Sequence, residues 1–140
     1  MIAVRKLALS ALAVLTLASC AFGEGSENSG SVKGTLEGKG FTVSVMSAAD
    51  YNASVTAKIF TEAKSLKDYL VAGKVDTKEA FSVWFFESIN TADAWFNENI
   101  SKISGICNGE ENLCTGLKNN AVFVGNTSVR DMLNWGVSAN

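Results

Sequence analysis

The segment Ala80–Phe86 constrains the fold of this chain more than any other stretch of its 140 residues. Apolar side chains occupy both sets of alternating positions in it, so both faces of an extended strand would be apolar. One face would carry Phe81, Val83 and Phe85, and the other would carry Trp84 and Phe86. A strand of this kind belongs in the middle of a sheet, or under a covering helix or partner. We therefore predict a central strand at Ala80–Phe86.

Shorter patterns on either side predict further strands and helices. Alternation indicates strands at Phe41–Val45 and Val55–Glu62, and a short apolar run indicates one at Ala121–Val124. Helical spacing and capping residues indicate helices at 32–36, 65–73 and 90–105, and from Ser128 onward. In the helix that Asn90 would cap, we predict a buried apolar stripe that consists of Ala92, Phe96, Ile100 and Ile103.

The order of these elements predicts one α+β domain. We expect a single four-stranded, mainly antiparallel sheet with helices on one face, in the ferredoxin-like neighbourhood of such folds. The segment Ala80–Val124 would form a strand–helix–strand crossover, which is expected to be right-handed. Once a signal segment is removed about 120 residues remain, enough for one domain with a substantial core and too few for two.

The first 19 residues have the three parts of an export signal. Arg5 and Lys6 form a positive start, Leu7–Leu17 is an apolar run, and small residues follow. As a helix, this run would span roughly 17 Å, against about 30 Å for the hydrocarbon core of a bilayer. We therefore interpret residues 1–19 as a cleaved signal peptide rather than as a permanent membrane span.

The end of this signal, Leu17-Ala18-Ser19-Cys20, resembles the lipobox of bacterial lipoproteins. The resemblance implies that the Cys20 thiol receives a diacylglyceryl group, that the chain is cut before Cys20, and that fatty acids such as palmitate anchor it. Two or more fatty chains hold a protein firmly, at about 0.8 kcal/mol per buried methylene. The implied location is extracytoplasmic, anchored to a bacterial cell membrane or outer membrane. The second half of the chain is similar in pattern to small bacterial lipoprotein domains of unassigned function.

Two features of this region bear on processing and sorting. An ordinary secretory signal cut after Ala21 or Gly23 is the alternative, since small residues stand at those sites too. Ala21 is not an aspartate, so in a two-membrane cell the lipoprotein resemblance favours the outer membrane.

Residues 20–31 are rich in Gly, Ser and Glu, which predicts a lipidated flexible tether before a single domain at residues 32–140. Without Arg5 and Lys6, ten basic residues stand against fourteen acidic ones, a formal charge of −4. A surface with this charge does not favour nucleic acid binding, which depends on Lys and Arg side chains that neutralise phosphates. A polybasic membrane patch is also absent from the sequence. We expect a membrane contact through the lipid, with an unidentified protein or small-ligand partner.

Cys107 and Cys114 are the thiols that remain if Cys20 is lipidated. The intervening residues 108–112 favour a turn that brings the two ends together, and exported proteins meet a non-reducing environment. We therefore predict a structural disulfide between them, worth roughly 2.5 kcal/mol by chain entropy. A redox-active pair is the alternative, but the spacing is not Cys-x-x-Cys and no predicted helix N-terminus is placed to lower a thiol pKa.

Other signals for catalysis or metal binding are few. The chain has no His, which excludes Ser–His and Cys–His nucleophile pairs and most zinc sites. Asn108, Glu110 and Asn112 alternate as oxygen ligands of the type that Ca²⁺ uses, but further carboxylates of a calcium loop are missing. We interpret them as a solvated acidic turn, and we predict no catalytic residue, no metal and no cofactor.

Trp84 and Phe86 are the candidate binding residues, because one face of their strand could remain uncovered. An uncovered face would be an exposed apolar patch suited to docking, although aromatic side chains at strand spacing usually form core. Two function classes stay open. The preferred one is a non-enzymatic envelope lipoprotein that binds a partner or small ligand or has an accessory role. The alternative is a small enzyme, either a carboxylate-based hydrolase or a thiol-redox enzyme.

Overall fold

The structure of the chain, a computed structural model, describes residues 26–136. The predicted signal peptide, Cys20 and the first part of the predicted tether lie outside these residues. Within residues 26–136, no helix is both long enough and apolar enough to cross a membrane.

One sheet of five antiparallel strands organises the described part of the chain. The helices are α1 (Ser29–Gly38), α2 (Ala48–Asn52), α3 (Ile89–Cys107) and α4 (Thr127–Met132), with a 3₁₀ helix at Thr56–Ile59. The strands are β1 (Thr42–Ser47), β2 (Leu66–Lys74), β3 (Glu79–Phe86), β4 (Leu113–Lys118) and β5 (Ala121–Asn126). Their order in the sheet is β1-β2-β3-β5-β4, and every neighbouring pair is antiparallel. The prediction of an α+β domain with a mainly antiparallel sheet is confirmed.

Strand β3 lies at the centre of the sheet, as its sequence predicts. Its register places Trp84 opposite Tyr69 of β2 and opposite Val122 of β5. Trp84 is 1% exposed, and Phe81 and Phe86 are also buried. Burial of one such aromatic side chain contributes roughly 1.5–3 kcal/mol, so β3 supplies a large part of the stabilisation of the core.

Helices pack on both faces of the sheet, and the prediction of helices on one face is wrong. On the face that carries Phe81, here called the Phe81 face, the core includes Leu36 of α1 and Trp135, which follows α4. On the opposite face, the Trp84 face, the core includes Trp95 of α3. The physical reason is that β3 is apolar on both sides, so each side needs a covering layer.

The sheet has five strands rather than the predicted four because neither β2 nor β4 was predicted as a strand, while the predicted strand Val55–Glu62 is absent. The residues of β4 show why it has no strand signal. Its residues include Thr115, Gly116 and Lys118, so neither set of alternating positions is apolar throughout. β4 turns back into β5, and β5 pairs antiparallel with β3. The predicted crossover across Ala80–Val124 is therefore wrong, and the described sheet has no parallel pair of the kind found in ferredoxin-like folds.

Two segments have a different secondary structure from the one predicted. The predicted helix after Ser65 is strand β2, and the predicted strand Val55–Glu62 contains the 3₁₀ helix. Ser65 itself has a φ of 60°, a left-handed conformation, whereas the residue that caps the start of a helix is typically in the β region. In β2, Tyr69 and Leu70 point into opposite cores. Pairing with β3 along most of its length therefore outweighs the local helical spacing.

Helix α3 is present, but its cap and its buried face differ from the prediction. It begins at Ile89, and Ser88 rather than Asn90 caps it by accepting a hydrogen bond from the Thr91 N–H at 3.1 Å. The buried side chains of α3 are Ala92, Trp95, Asn99 and Ile103. The predicted stripe is therefore rotated, and Ile100 is exposed.

The folded part of the chain begins before the predicted domain boundary at residue 32. Asn28 caps α1 by accepting a hydrogen bond from the Ser31 N–H at 2.8 Å. The side chain of Asn120 holds the preceding backbone by donating to the Glu27 carbonyl at 3.1 Å. Residues 29–31 of the predicted tether are therefore the first turn of α1.

Strands β1 and β5 and helix α4 lie where the sequence predicts them. Val43 packs against the core of the Phe81 face. Val45 lies on the same face as Val43 by strand alternation, but it is 39% exposed because it lies on an edge strand. Helix α4 buries Val129, and its cap residue is Asn126 rather than Ser128.

Candidate functional site

An apolar pocket lies on the Trp84 face, between the 3₁₀ helix and the C-terminal end of α3. Its volume is about 250 Å³, whereas a cavity of roughly 150 Å³ is enough to bind benzene. Side chains of three adjacent strands border it: Tyr69 from β2, Ser82 and Trp84 from β3, and Val124 from β5. The pocket therefore has room for a single small organic molecule against the centre of the sheet.

The pocket exists because side chains on the Trp84 face of β3 change from small to large along the strand. Ala80 and Ser82 are small, whereas Trp84 and Phe86 fill the space between the sheet and the helices. Where the small side chains lie, space remains unfilled. This small-to-large order at alternate positions is readable in the sequence. Trp84 and Phe86 on their own, without their two smaller neighbours on the same face, do not indicate a pocket.

The rim of the pocket is apolar and exposed to solvent. Ile59, the last residue of the 3₁₀ helix, is 54% exposed, and Ile106 near the end of α3 is 51% exposed. Val55, next to the start of the 3₁₀ helix, is more exposed still. Isolated exposed apolar side chains are ordinary, but a group of them beside a cavity is typical of a ligand or partner site.

The polar groups of the pocket are uncharged. Burial raises the pKa of the Tyr69 phenol above its ordinary value of 10.0, and a hydrogen bond from Ser82 partly opposes this rise. The phenol therefore stays neutral at physiological pH. Asn126 accepts a hydrogen bond from the Ala80 N–H at 2.7 Å through its Oδ1. Among the described residues that line the pocket, none carries a charge, so the lining suits an uncharged ligand.

The predicted binding residues Trp84 and Phe86 do not form an exposed platform. Helix α3 covers both, since the Trp95 ring lies 5.1 Å from that of Trp84 and 5.5 Å from that of Phe86. Trp84 borders the pocket, whereas Phe86 lies in the core. Of the two predicted binding residues, only Trp84 therefore lines the pocket, and Phe86 takes no part in it.

A second groove, of about 340 Å³, lies beside the first half of α3 and has a different character. Glu62 and Glu98 line it. The buried Asn99 donates to the Trp95 carbonyl at 2.9 Å and accepts from the Thr61 N–H at 3.0 Å. Thr61 in turn donates to Glu98 at 3.0 Å. These groups satisfy one another and fasten the segment after the 3₁₀ helix to α3, so their role is structural.

Cys107 and Cys114 are free thiols, and no disulfide joins them in this structure. Cys107 packs against the core of the Trp84 face, whereas Cys114 packs against the core of the Phe81 face. A disulfide would require one of them to change sides. Burial raises the pKa of both thiols above the ordinary value of 9.0, and a hydrogen bond with Thr127 partly opposes this at Cys114. Reactive cysteines have a lowered pKa, so neither thiol is activated.

The acidic segment between the two cysteines turns the chain from α3 into β4. Asn108 has a φ of 48°, the left-handed conformation that commonly ends a helix. Within residues 26–136, no group of three or more His, Cys, Asp or Glu side chains is placed to hold a metal ion.

Comparison with known proteins gives no further information about the site. No protein-family model, no curated protein and no solved structure matches this chain. The features that bear on function are therefore the pocket and the N-terminal sequence.

Proposed function

We propose that this chain is a lipid-anchored, extracytoplasmic module that binds a small, uncharged, apolar ligand. The observation that carries the binding part of the proposal is the pocket of about 250 Å³ on the Trp84 face. Ligand sites are typically concave and mostly apolar, with a few polar groups that fix orientation. Here Thr56, Tyr69, Ser82 and Asn126 supply the polar groups, and Ile59 and Ile106 form the exposed apolar rim.

The expected strength of binding follows from the area that such a ligand buries. At about 25 cal/mol per Å², a probe that buries roughly 200 Å² of apolar surface gains about 5 kcal/mol. This corresponds to a dissociation constant on the order of 0.1–1 mM. A ligand that also bonds the Ser82 hydroxyl would bind more tightly, because its polar atom would be satisfied on burial.

The anchor in this proposal is supported by the sequence around Cys20. The first described residues lead into α1 at one end of the sheet, where Asn120 bonds both the Glu27 and the Phe86 carbonyls. The pocket lies toward the other end of β3, beside Ala80 and Asn126. A chain that leads back from Glu27 to a lipid therefore starts away from the pocket entrance.

The binding proposal is tested with n-octanol as an uncharged apolar probe and octanoate as its charged counterpart. We expect octanol to shift the amide NMR signals of Ser82, Val124 and Ile106, and octanoate to bind at least tenfold more weakly. The variant Ser82→Phe fills the pocket and should abolish these shifts. Ser101→Phe makes the same change on the exposed side of α3 and should leave them intact. Equal binding by both variants, or no localised shift in the unaltered protein, would show that the pocket is not a ligand site.

The anchor is tested by mass spectrometry of the processed protein. We expect an N-terminal Cys20 that carries a diacylglyceryl group, and we expect Cys20→Ala to release the protein from the membrane fraction. An unmodified amino terminus at Phe22 or Glu24 would refute the anchor and leave the binding proposal standing.

A further inference from the structure

The side chain of Asn126 lines the apolar pocket beside the start of β3. Asn126 is the last residue of β5 and the residue that precedes the first turn of α4. An asparagine in this position usually accepts a hydrogen bond from an N–H of the first helical turn. Here it makes no such bond, and its Oδ1 instead accepts from the Ala80 N–H of β3 at 2.7 Å. The side chain is therefore directed across the sheet, toward β3 and the pocket.

The close approach of β5 to β3 makes this contact possible. Gly125 precedes Asn126, and a Cβ at Gly125 would lie 2.6 Å from a backbone Cα of β3. Strand alternation places Asn126 on the same face as Val124, which belongs to the core of the Trp84 face. Because the Ala80 group is a donor, the atom that faces it has to be the amide oxygen. The orientation of the carboxamide is therefore fixed, with Oδ1 held by β3 and Nδ2 left as a donor.

The Nδ2 donor of Asn126 is available to a ligand. Among the described residues, none accepts a hydrogen bond from it. The side chain is half-buried, and Nδ2 does not belong to the polar atoms that are sealed from solvent. A ligand that fills the pocket excludes solvent from this donor. If the ligand supplies no acceptor, the donor is buried without a partner, which typically weakens binding about five- to hundredfold.

The other polar groups of the lining do not make the same demand. The hydroxyls of Tyr69 and Ser82 interact with one another, and a hydroxyl can rotate to donate or to accept. The Trp84 indole N–H lies next to the hydroxyl of Tyr51, which is not a lining residue. Of the described residues that line the pocket, Asn126 is therefore the one that presents a fixed group able only to donate.

A neutral carbonyl group is the acceptor that suits this site. The described lining carries no charge, so a carboxylate or phosphate would lose its hydration without a cation to compensate. A hydroxyl can accept from Nδ2, but it brings a proton that needs an acceptor of its own, whereas a carbonyl oxygen only accepts. We infer that the pocket takes a small neutral ketone, ester or amide with an apolar body, whose carbonyl oxygen accepts a hydrogen bond from Asn126 Nδ2. This assignment rests on the proposed ligand site and adds the chemical class of the ligand.

An NMR titration with 2-octanone tests the hydrogen bond directly. This probe has the chain length of n-octanol but no O–H group, so its oxygen can only accept. In the protein used for the n-octanol titration, we expect 2-octanone to shift the backbone amide signals of Ser82 and Ile106. We also expect it to move one Nδ2 proton signal of Asn126 downfield.

The outcomes of this titration separate the two proposals. If the backbone signals shift and the side-chain signals of Asn126 do not, or if n-octanol binds and 2-octanone does not, the carbonyl ligand is refuted and the proposed ligand site stands. If neither probe shifts any of these signals, both proposals are refuted.

Asn126→Asp removes the donor and keeps the acceptor that β3 requires. One carboxylate oxygen can still accept from the Ala80 N–H, and a negative charge before the first turn of a helix is favourable. The second oxygen takes the place of Nδ2, so it repels a ketone oxygen but accepts from an alcohol O–H. We expect the dissociation constant of 2-octanone to rise at least tenfold more than that of n-octanol.

Asn97→Asp is the matched control. It makes the same change at an exposed position of α3 outside the pocket, and it should leave the dissociation constants of both probes unchanged. An equal rise for the two probes in Asn126→Asp, or no rise for either, refutes the hydrogen bond from Nδ2 to the ligand.

Discussion

At the scale of single residues, buried polar groups in this domain fall into two kinds. Asn99 and Asn120 are buried and bonded, and Asn120 donates to the Phe86 carbonyl at 2.8 Å. Each of these asparagines joins two elements of the fold. The cost of burying its amide is offset by the hydrogen bonds that it makes. The Tyr51 hydroxyl and the Trp84 indole N–H are also buried, but neither makes a hydrogen bond of good geometry. A buried polar group without a good hydrogen bond lowers stability, so its removal should stabilise the domain.

Replacement of Tyr51 by Phe is expected to stabilise the domain. The Tyr51 ring packs on Tyr69 at a centroid distance of 4.8 Å, and this contact is kept in Tyr51→Phe. Loss of a buried hydroxyl without a good partner should raise the free energy of unfolding by about 1 kcal/mol. Tyr69→Phe is the matched control, because it loses a hydroxyl that interacts with Ser82, and it should cost about 0.5–1 kcal/mol. Denaturant unfolding measures both, and a loss of stability in Tyr51→Phe would show that its hydroxyl is bonded to Trp84.

At the scale of elements, the pattern of apolar residues predicts those elements whose local signal agrees with their tertiary surroundings. β3 is apolar on both faces and lies at the centre, and α3 has caps and a periodic stripe. β2 was mistaken for a helix because Leu66, Tyr69 and Leu70 fit both periods, and pairing with β3 decides between them. β4 has too few apolar residues for its sequence to predict a strand. It is a strand because it forms a hairpin with β5. Long-range pairing is the information that a local pattern lacks.

Gly125 is the position at which the pairing of β5 with β3 depends on the absence of a side chain. A Cβ at this position would lie 2.6 Å from the Phe81 Cα and even closer to the Ala80 carbonyl oxygen. These are backbone atoms of β3, so Gly125→Ala must push the strands apart, at an expected cost of about 2–3 kcal/mol. Gly105→Ala in α3 meets no atom within 4 Å and should instead stabilise by about 0.5–1 kcal/mol. Thermal unfolding of the two variants should therefore shift in opposite directions, and equal shifts would contradict the close approach of the two strands.

The path of the chain from the end of α3 into β4 determines the state of the cysteines. Because Cys107 and Cys114 pack against opposite faces of the sheet, we expect both to titrate as free thiols in the purified, unreduced protein. The same count of two should be found in denaturant, while reaction in the folded state should be slow at neutral pH because burial raises both pKa values. Thiols that react only after a reductant is added would establish the disulfide that the sequence predicts. In that case β4 would have to be oriented differently, so that Cys114 faces Cys107.

At the scale of the whole molecule, the central sheet separates two cores that differ in composition. The Phe81 face is closed by α1 and by Trp135 after α4, and the Trp84 face holds an aromatic cluster that includes Tyr51, Tyr69 and Trp95. That both faces are covered follows from the sequence of β3, and the prediction of helices on one face did not use this information. The pocket could not be predicted from the strand pattern alone, because its walls come from the 3₁₀ helix and the end of α3. These segments are far apart in sequence and meet only in the folded chain.

The aromatic core of the Trp84 face predicts how the whole domain responds to alkaline pH. Burial raises the pKa of both Tyr51 and Tyr69 above the ordinary value of 10.0. A group whose pKa is raised by folding contributes stability that is complete below its unfolded pKa and is lost as the pH rises through its folded pKa. The buried thiols act in the same direction from about pH 9, close to the ordinary thiol pKa. We therefore expect the free energy of unfolding to be insensitive to these groups up to about pH 9 and to fall progressively above it.

Denaturant unfolding at several pH values, combined with the ultraviolet absorbance of tyrosinate, measures this dependence. Tyr51→Phe removes one of the two titrating phenols and should reduce the slope of the free energy of unfolding against pH above about pH 10. Tyr69→Phe should do the same, because burial dominates the pKa shift of both groups. If tyrosinate instead forms at the ordinary pKa while the domain stays folded, the aromatic cluster is open to water, and the burial of Tyr51 and Tyr69 is contradicted.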